Sequence, residues 1–476
     1  MAHRLPVLLL VLVLLLLAVL PAVASTVNIY GDFRVQSTFF QNQNYTGWNQ
    51  SGTQTEDTLN IWQRLRLHVD LATSEHLAFR LGLRVNNETW GHGTLTAANP
   101  TTAIEVYQGY LVFTVPDTQV AVTAGYQPLS LPQSPVFYDS VVLAADSGNS
   151  DTAALVVTAP LVGDTLGVKL GYGRLIDTHR TYETTTTQVG DEFDLVFATF
   201  PLTAPGLHVT PWGASGIIGR SASLPTSIAN NIRSAGSFLA PAGYAANQTV
   251  ALWTGAALTV DALDPVRLSG DVIWGDAGFA DRSRSRRQGW FTDVALEYTG
   301  CAWVTPQLLG WWSTGEDASL ANGSERLPAI TPAWGPRGSF LFNADQALTQ
   351  ASMNTTPQGS MGVTVNFDHI SLLPQLTSLV AVSYAVGTNA PAGLRRAAAV
   401  TGGSGGYVTM GQDLAQGEQL LSVAWEHDYA LTEAVHLILE TDWAQGQDFR
   451  KSLWGRRLVD KTGDAWQGAL GIIYKF

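Results

Sequence analysis

The sequence predicts an all-β fold: a transmembrane antiparallel up-and-down β-barrel of about 18 strands, with about 16 as the alternative count. Three observations predict it. The chain ends on a two-residue alternation, GALGIIYKF (468–476). The same alternation recurs along the rest of the sequence without an intervening linker. Between the alternating runs, short and long turn-like stretches take turns.

The N-terminal stretch MAHRLPVLLLVLVLLLLAVLPAVAS has a short basic start, an apolar run from Leu5 to Leu20, and the small-residue site Ala22-Val23-Ala24. This is the pattern of a secretory signal peptide cleaved after Ala24, which leaves 25–476 as a single barrel domain. The residue directly after the cleavage point is Ser25, not a cysteine, and Cys301 is the only cysteine in the chain, so neither a lipoprotein anchor nor an intramolecular disulfide is expected. Lys and Arg number 26 against 39 Asp and Glu, which excludes a broad basic face for nucleic acid. After residue 20 no long apolar run occurs, which excludes transmembrane helices. Gly is abundant, with 15 Trp and 14 Tyr, residues that barrels use for tight bends and interfacial girdles.

The first strand, Val27 to Phe39, places Ile29, Gly31, Phe33 and Val35 on one face and Tyr30, Asp32, Arg34 and Gln36 on the other. From 59 to 71, Leu and Ile alternate with Asn60, Trp62, Arg64, Arg66, His68 and Asp70. From 77 to 85, Leu77, Phe79, Leu81, Leu83 and Val85 oppose Arg80 and Arg84. Such alternation marks a sheet with one apolar and one polar face. Short turns are expected at 74–76, 116–118, 162–164, 204–206, 263–265, 300–302, 369–375 and 430–434. Longer polar stretches run at 40–58, 86–103, 128–152, 176–190, 220–248, 276–288, 315–359, 388–418 and 445–463. Short connections at one end and long ones at the other are what membrane barrels show. Trp290, Tyr298, Trp311, Trp312, Trp443, Tyr474 and Phe476 sit near strand ends, as a girdle requires. In lipid every backbone polar group needs an internal partner, so the last strand should pair with the first.

With this parity, Arg34, Arg64, Arg66, Arg80 and Arg84 face the lumen from three consecutive strands as a fixed positive stripe. The stretch SPVFYDSVVLAADSGNSD carries Asp139, Asp146 and Asp151, which would oppose the arginines if that loop folds inward. Further acids are expected on the lumen face: Glu192, Asp194, Asp271, Asp293, Glu297, Glu426, Asp428, Glu440 and Asp442, read as ordinary polar lining. TGGSGG (401–406) matches G-x-S-x-G only as a string, since no helix is expected after it. The dispersed histidines form no zinc-binding pattern, so no metal, cofactor or enzymatic activity is expected.

Three segments carry a resemblance to a known group: the terminal IIYKF, the arginine-bearing QRLRLHVDL (63–71) and the hairpin YQGYLVFTVPDTQVAVTAGYQPLSLP (107–132). With these the chain resembles the general-porin superfamily of Gram-negative outer membranes, and within it the homotrimeric porins of sulfate-reducing bacteria. The resemblance implies a homotrimer of water-filled pores, each with its third loop folded into the lumen as a constriction. It implies contact with outer-membrane lipid and lipopolysaccharide. The first strand begins two or three residues after the expected cleavage site, so no N-terminal plug is expected. The last strand is similar to the signal read by the outer-membrane insertase, with Gly471, Tyr474 and Phe476 in register and Ala469 where a polar residue is usual. The expected function is passive diffusion of ions and small hydrophilic solutes. The alternatives are a sugar-type specific channel, with Tyr30, Trp62 and Trp253 as an aromatic track, and a barrel hydrolase or adhesin.

Overall fold

The computed structural model describes residues 26–476, except 49–56, 93–94, 99–100, 146–150, 178–189, 220, 239–247, 279–281, 343–347, 349–351 and 402–405. The expected leader, 1–24, and Asp146 lie outside the described residues.

Nineteen strand segments form one antiparallel sheet. They are β1 Thr26–Gln41, β2 Thr58–Ser74, β3 Leu77–Thr89, β4 Glu105–Thr114, β5 Ala121–Pro128, β6 Asp151–Val162, β7 Leu166–Asp177, β8 Glu192–Thr199, β9 Leu202–Ala204, β10 Leu207–Gly219, β11 Gln248–Leu263, β12 Val266–Ala277, β13 Arg287–Tyr298, β14 Thr305–Ser313, β15 Ser360–Leu373, β16 Leu376–Gly387, β17 Gln419–Ala430, β18 Val435–Gln447 and β19 Ala465–Lys475. The short β9 continues β8, because both lie between β7 and β10. The ladder lapses at Pro201, which has no N–H to give. Counting β8 and β9 as one stave gives a closed barrel of 18 strands.

Closure is made by β1 and β19. Asp32 pairs with Lys475, Phe33 with Tyr474 and Gln36 with Gly471. The Gly31 N–H donates to the Phe476 carbonyl at 2.8 Å, and the Phe476 N–H returns a bond to Gly31 at 3.1 Å. The terminal aromatic residue is thus held by backbone pairing, with no edge left open. Glycine is needed at 31 because a Cβ there would run into the Arg66 carbonyl of β2.

The outer face is the apolar one. Leu59 (68% exposed), Leu470 (60%) and Ile29 (59%) belong to a belt that encircles the barrel. A water-soluble chain would not leave so continuous an apolar surface uncovered. Aromatic pairs mark its rims: Trp274 faces Trp290 across β12 and β13, and Trp443 faces Trp466 across β18 and β19. Of the expected girdle residues, Trp311 is the exception, because it points inward and is buried. No described helix is long and apolar enough to cross a membrane.

Parity also corrects two expected lumen acids. Register places Asp194 level with Ile217 of β10, which pairs with the exposed Val250, so Glu192 and Asp194 lie on the outer face. There Arg174 holds Asp194 at 2.9 Å and Asp177 at 3.0 Å. The inner positions of β8 are instead Phe193, Leu195 and Phe197, all buried.

Candidate functional site

Long connections leave one end of the barrel, and two of them turn into its lumen: loop 3 (129–150) and loop 7 (314–359). Loop 3 carries Leu129, Leu131, Val136, Phe137 and Val141 to Leu143, all buried. An apolar loop in a polar-lined lumen has to find apolar cover, and loop 7 supplies it. The two run together: Tyr138 N–H bonds the Gly335 carbonyl at 3.0 Å, Ile330 N–H bonds Val142 at 2.8 Å, and Ala144 N–H bonds Thr331 at 3.0 Å.

At their centre is Trp334 of loop 7. Its ring stacks on Phe137 at 5.4 Å and meets the edges of Phe291, Trp311 and Phe342 at 4.9, 5.7 and 5.3 Å. Each such ring pair adds roughly 0.5–1.5 kcal/mol beyond the area it buries. The indole N–H finds its acceptor in the wall, donating to Asp293 of β13 at 2.8 Å. Gln133 of loop 3 donates to the same carboxylate at 2.7 Å. Neighbouring Asp271 of β12 accepts the Ser134 N–H at 3.0 Å and also its hydroxyl. Across the lumen, Leu348 N–H donates to Glu440 of β18 at 2.6 Å, and its carbonyl accepts from Gln36 at 2.8 Å. Leu348 packs with Ile438, Ala469 and Ile473. A Cβ on Gly471 would sit 2.9 Å from its side chain.

Three of the acids read from sequence as ordinary lining are therefore anchors for the inward loops: Asp271 holds loop 3, Glu440 holds loop 7 and Asp293 holds both, while Asp442 and Glu297 are also buried. Trp253, expected on an aromatic track, is buried, and its indole donates to the Pro328 carbonyl of loop 7 at 2.8 Å. It supports the loop and cannot touch a passing solute. Trp62 is buried as well, whereas Tyr30 stays accessible and stacks on His68 at 5.1 Å.

The wall formed by β1 to β4 is different. The side chains of Arg80 and Asp70 keep 35% and 26% of their surface accessible. Arg80 grips Asp70 through two bonds, 2.6 and 2.7 Å, and reaches the Tyr110 hydroxyl at 3.2 Å. Arg34 and Arg64 share Asp32 at 3.4 and 3.3 Å. Arg84 pairs with Glu105 at 2.8 Å and lies over the Tyr107 ring. Arg66 stands level with Asp32 and Arg84 on the neighbouring strands. Arg34, Arg64, Arg80 and Arg84 are thus bound to acids of their own wall. Of the loop 3 carboxylates, Asp139 accepts the Ser140 N–H at 2.7 Å, and Asp151, which opens β6, accepts from Gln108 at 3.2 Å. The accessible polar lumen follows this basic wall, while the opposite side is occupied by loops.

Sequence reasoning missed loop 7 as a lumen element. Its signal was an aromatic density, Trp334, Phe340 and Phe342, unusual in a connection expected to be polar and solvated.

No protein-family model matches the chain, and no curated protein does. Solved structures do. Acinetobacter baumannii OccAB1 is similar over 96% of this chain and 99% of its own, at 12% identity and a TM-score of 0.52. Pseudomonas aeruginosa OpdL is similar over 94% and 98%, at 13% identity and 0.51. The outer membrane protein opdK of Pseudomonas aeruginosa is similar over 94% and 99%, at 11% identity and 0.51. At such identity the likeness is one of fold: the closed barrel extends over nearly the whole of each chain.

Proposed function

We propose that this chain is an outer-membrane channel of a Gram-negative bacterium, through which ions and small hydrophilic solutes diffuse passively. One observation carries the reading: an apolar outer belt encloses a lumen whose accessible side is a stripe of arginines, acids and tyrosines. A barrel whose outside prefers lipid and whose inside prefers water is a conduit. In this reading Arg34, Arg64, Arg66, Arg80 and Arg84 set the field along the passage, with Asp139 and Asp146 of loop 3 and Asp151 at the start of β6 limiting its width. The protein is exported through its cleaved leader. It is inserted by way of a last strand bearing Gly471, Tyr474 and Phe476, meets lipid and lipopolysaccharide along its belt, and works as a homotrimer of the kind found in sulfate-reducing bacteria. It carries out no chemistry.

Planar-bilayer recording of the purified protein with salts of increasing ion size tests this. Discrete conductance steps that shrink as the ions grow are expected. A folded, membrane-inserted protein without conductance overturns the proposal. A second reading, a channel selective for particular solutes, is favoured by the packing of loops 3 and 7 across the lumen, which leaves one wall for passage. Saturable block of the current by a solute would favour it, and linear flux would favour general diffusion.

A further inference from the structure

A cavity of about 220 Å³ lies at the short-turn end of the lumen, between the bases of β12 to β15 and a roof formed by Pro135, Val136 and Arg337 of the two inward loops. Its charged groups are sorted by depth. Glu297 and Asp368 lie within the wall, their side chains 7% and 6% exposed, while Arg267, Arg337 and His369 front the space at 41%, 43% and 62%.

The buried acids are engaged. Glu297 accepts from Arg267 Nε at 2.8 Å and from Gln307 at 2.9 Å. Asp368 accepts the His369 N–H at 2.8 Å, with His369 Nδ1 at 3.0 Å and Arg337 at 3.4 Å. The Arg337 Nε is buried without a hydrogen-bond acceptor among the described residues. His369 takes a left-handed backbone, φ 54°, where the β15–β16 register shifts, and this holds its ring at the cavity mouth. We infer that this cavity is a built subsite for a small oxyanion, held between the guanidinium groups of Arg267 and Arg337.

The chemistry favours that class over the others a channel could carry. A guanidinium fork matches oxyanion geometry, and a carboxylate behind it fixes its plane. A cation would face two guanidinium groups with the acids screened behind them. A sugar needs strong acceptors as well as donors, and the two carboxylates here already accept from Arg267, Gln307 and the His369 N–H. The volume holds a small ion with a few waters, each taking about 30 Å³, and is too small for an oligosaccharide. The inference rests on the channel reading and names a solute class that the passage would retain.

Isothermal titration of the full-length folded protein in neutral detergent with inorganic phosphate, and separately with acetate, tests it. Saturable binding of one ion per chain is expected. Arg337→Gln and Arg267→Gln should each weaken it roughly tenfold, the equivalent of one charge-assisted hydrogen bond. Arg337 sits on a loop, so its variant leaves the barrel ladder untouched, and heat-modifiable gel mobility verifies folding of both. Absence of binding, or variants that both keep the affinity of the unsubstituted protein, overturns the subsite. Bilayer current separates the two readings: a conducting protein that binds neither anion loses the subsite and keeps the channel, and a protein that binds without conducting loses the channel.

Discussion

Arg64 and Arg66 alternate with Leu65 and Leu67 on one strand, so their charge is fixed in place by the pleat. Arg66 keeps part of its surface on the accessible wall, while Arg64 beside it is buried against Asp32. Both charges should act on the potential along the path, Arg66 directly and Arg64 from behind the wall surface. Replacing both by Gln is expected to move the reversal potential toward cations in a salt gradient. An unchanged reversal potential would take these two residues out of the passage. Trp334 gives the complementary case. Its truncation to alanine removes rings packed against Phe137, Phe291, Trp311 and Phe342, a loss of about 3–5 kcal/mol of local packing. It also strips Asp293 of a donor. Loops 3 and 7 should loosen and single-channel conductance should rise. A lower or unchanged conductance would show that the pair of loops does not restrict the lumen.

At the level of strands and loops, what the sequence made legible follows from locality. A strand facing lipid and water alternates residue by residue, and the runs at 27–39, 59–71 and 77–85 do so without ambiguity. The eight short turns fall where expected for the same reason. Where part of the lumen is dry, pattern alone misleads: in EFDLVFAT (192–199) the set with Glu192 and Asp194 reads as lumen-facing yet turns outward. The larger set, Phe193, Leu195 and Phe197, turns in because loops have made that side of the lumen a dry core. Gly171 and Gly216 leave room for those rings. Loop 7 was illegible since its partners are remote in sequence: Asp293, Glu440 and Gln36.

The outer loops have their own device. Glu418 accepts from Ala415 N–H, Arg450 N–H and Trp454 Nε1 at 2.8, 2.9 and 2.7 Å, joining the connection 388–418 to 448–464. Burial pushes its carboxyl above the usual range, against the pull of those donors. A folded-state value above the unfolded one means that ionisation costs stability. The junction is then firmest below the unfolded-state value and loosens as pH rises through the folded-state value. Limited proteolysis within 448–464 should therefore slow as pH falls from neutral toward the carboxylate range, and this trend should flatten in Glu418→Gln. A protease-corrected rate that rises toward acid pH would contradict it.

For the molecule as a whole, integrity depends on the β1–β19 seam. Gly31→Ala forces a methyl group into the Arg66 carbonyl, and deletion of Phe476 removes the residue whose backbone closes the final pair. Both should lower the yield of folded barrel far more than they alter the conductance of the barrels that do form. Normal yield of the heat-modifiable species would argue against a role for the seam in assembly. The net charge of −13 is a poor guide to the passage, because many of the acids are buried or engaged with loops while the arginine wall keeps accessible surface.

A polypeptide synthesised from its amino end must carry β1 without its second neighbour until the final eleven-residue strand arrives. Without that strand the sheet would keep two raw margins that hydrocarbon cannot satisfy. A ribosome that stops early would therefore release a chain unable to become a pore, however much of the wall it had made.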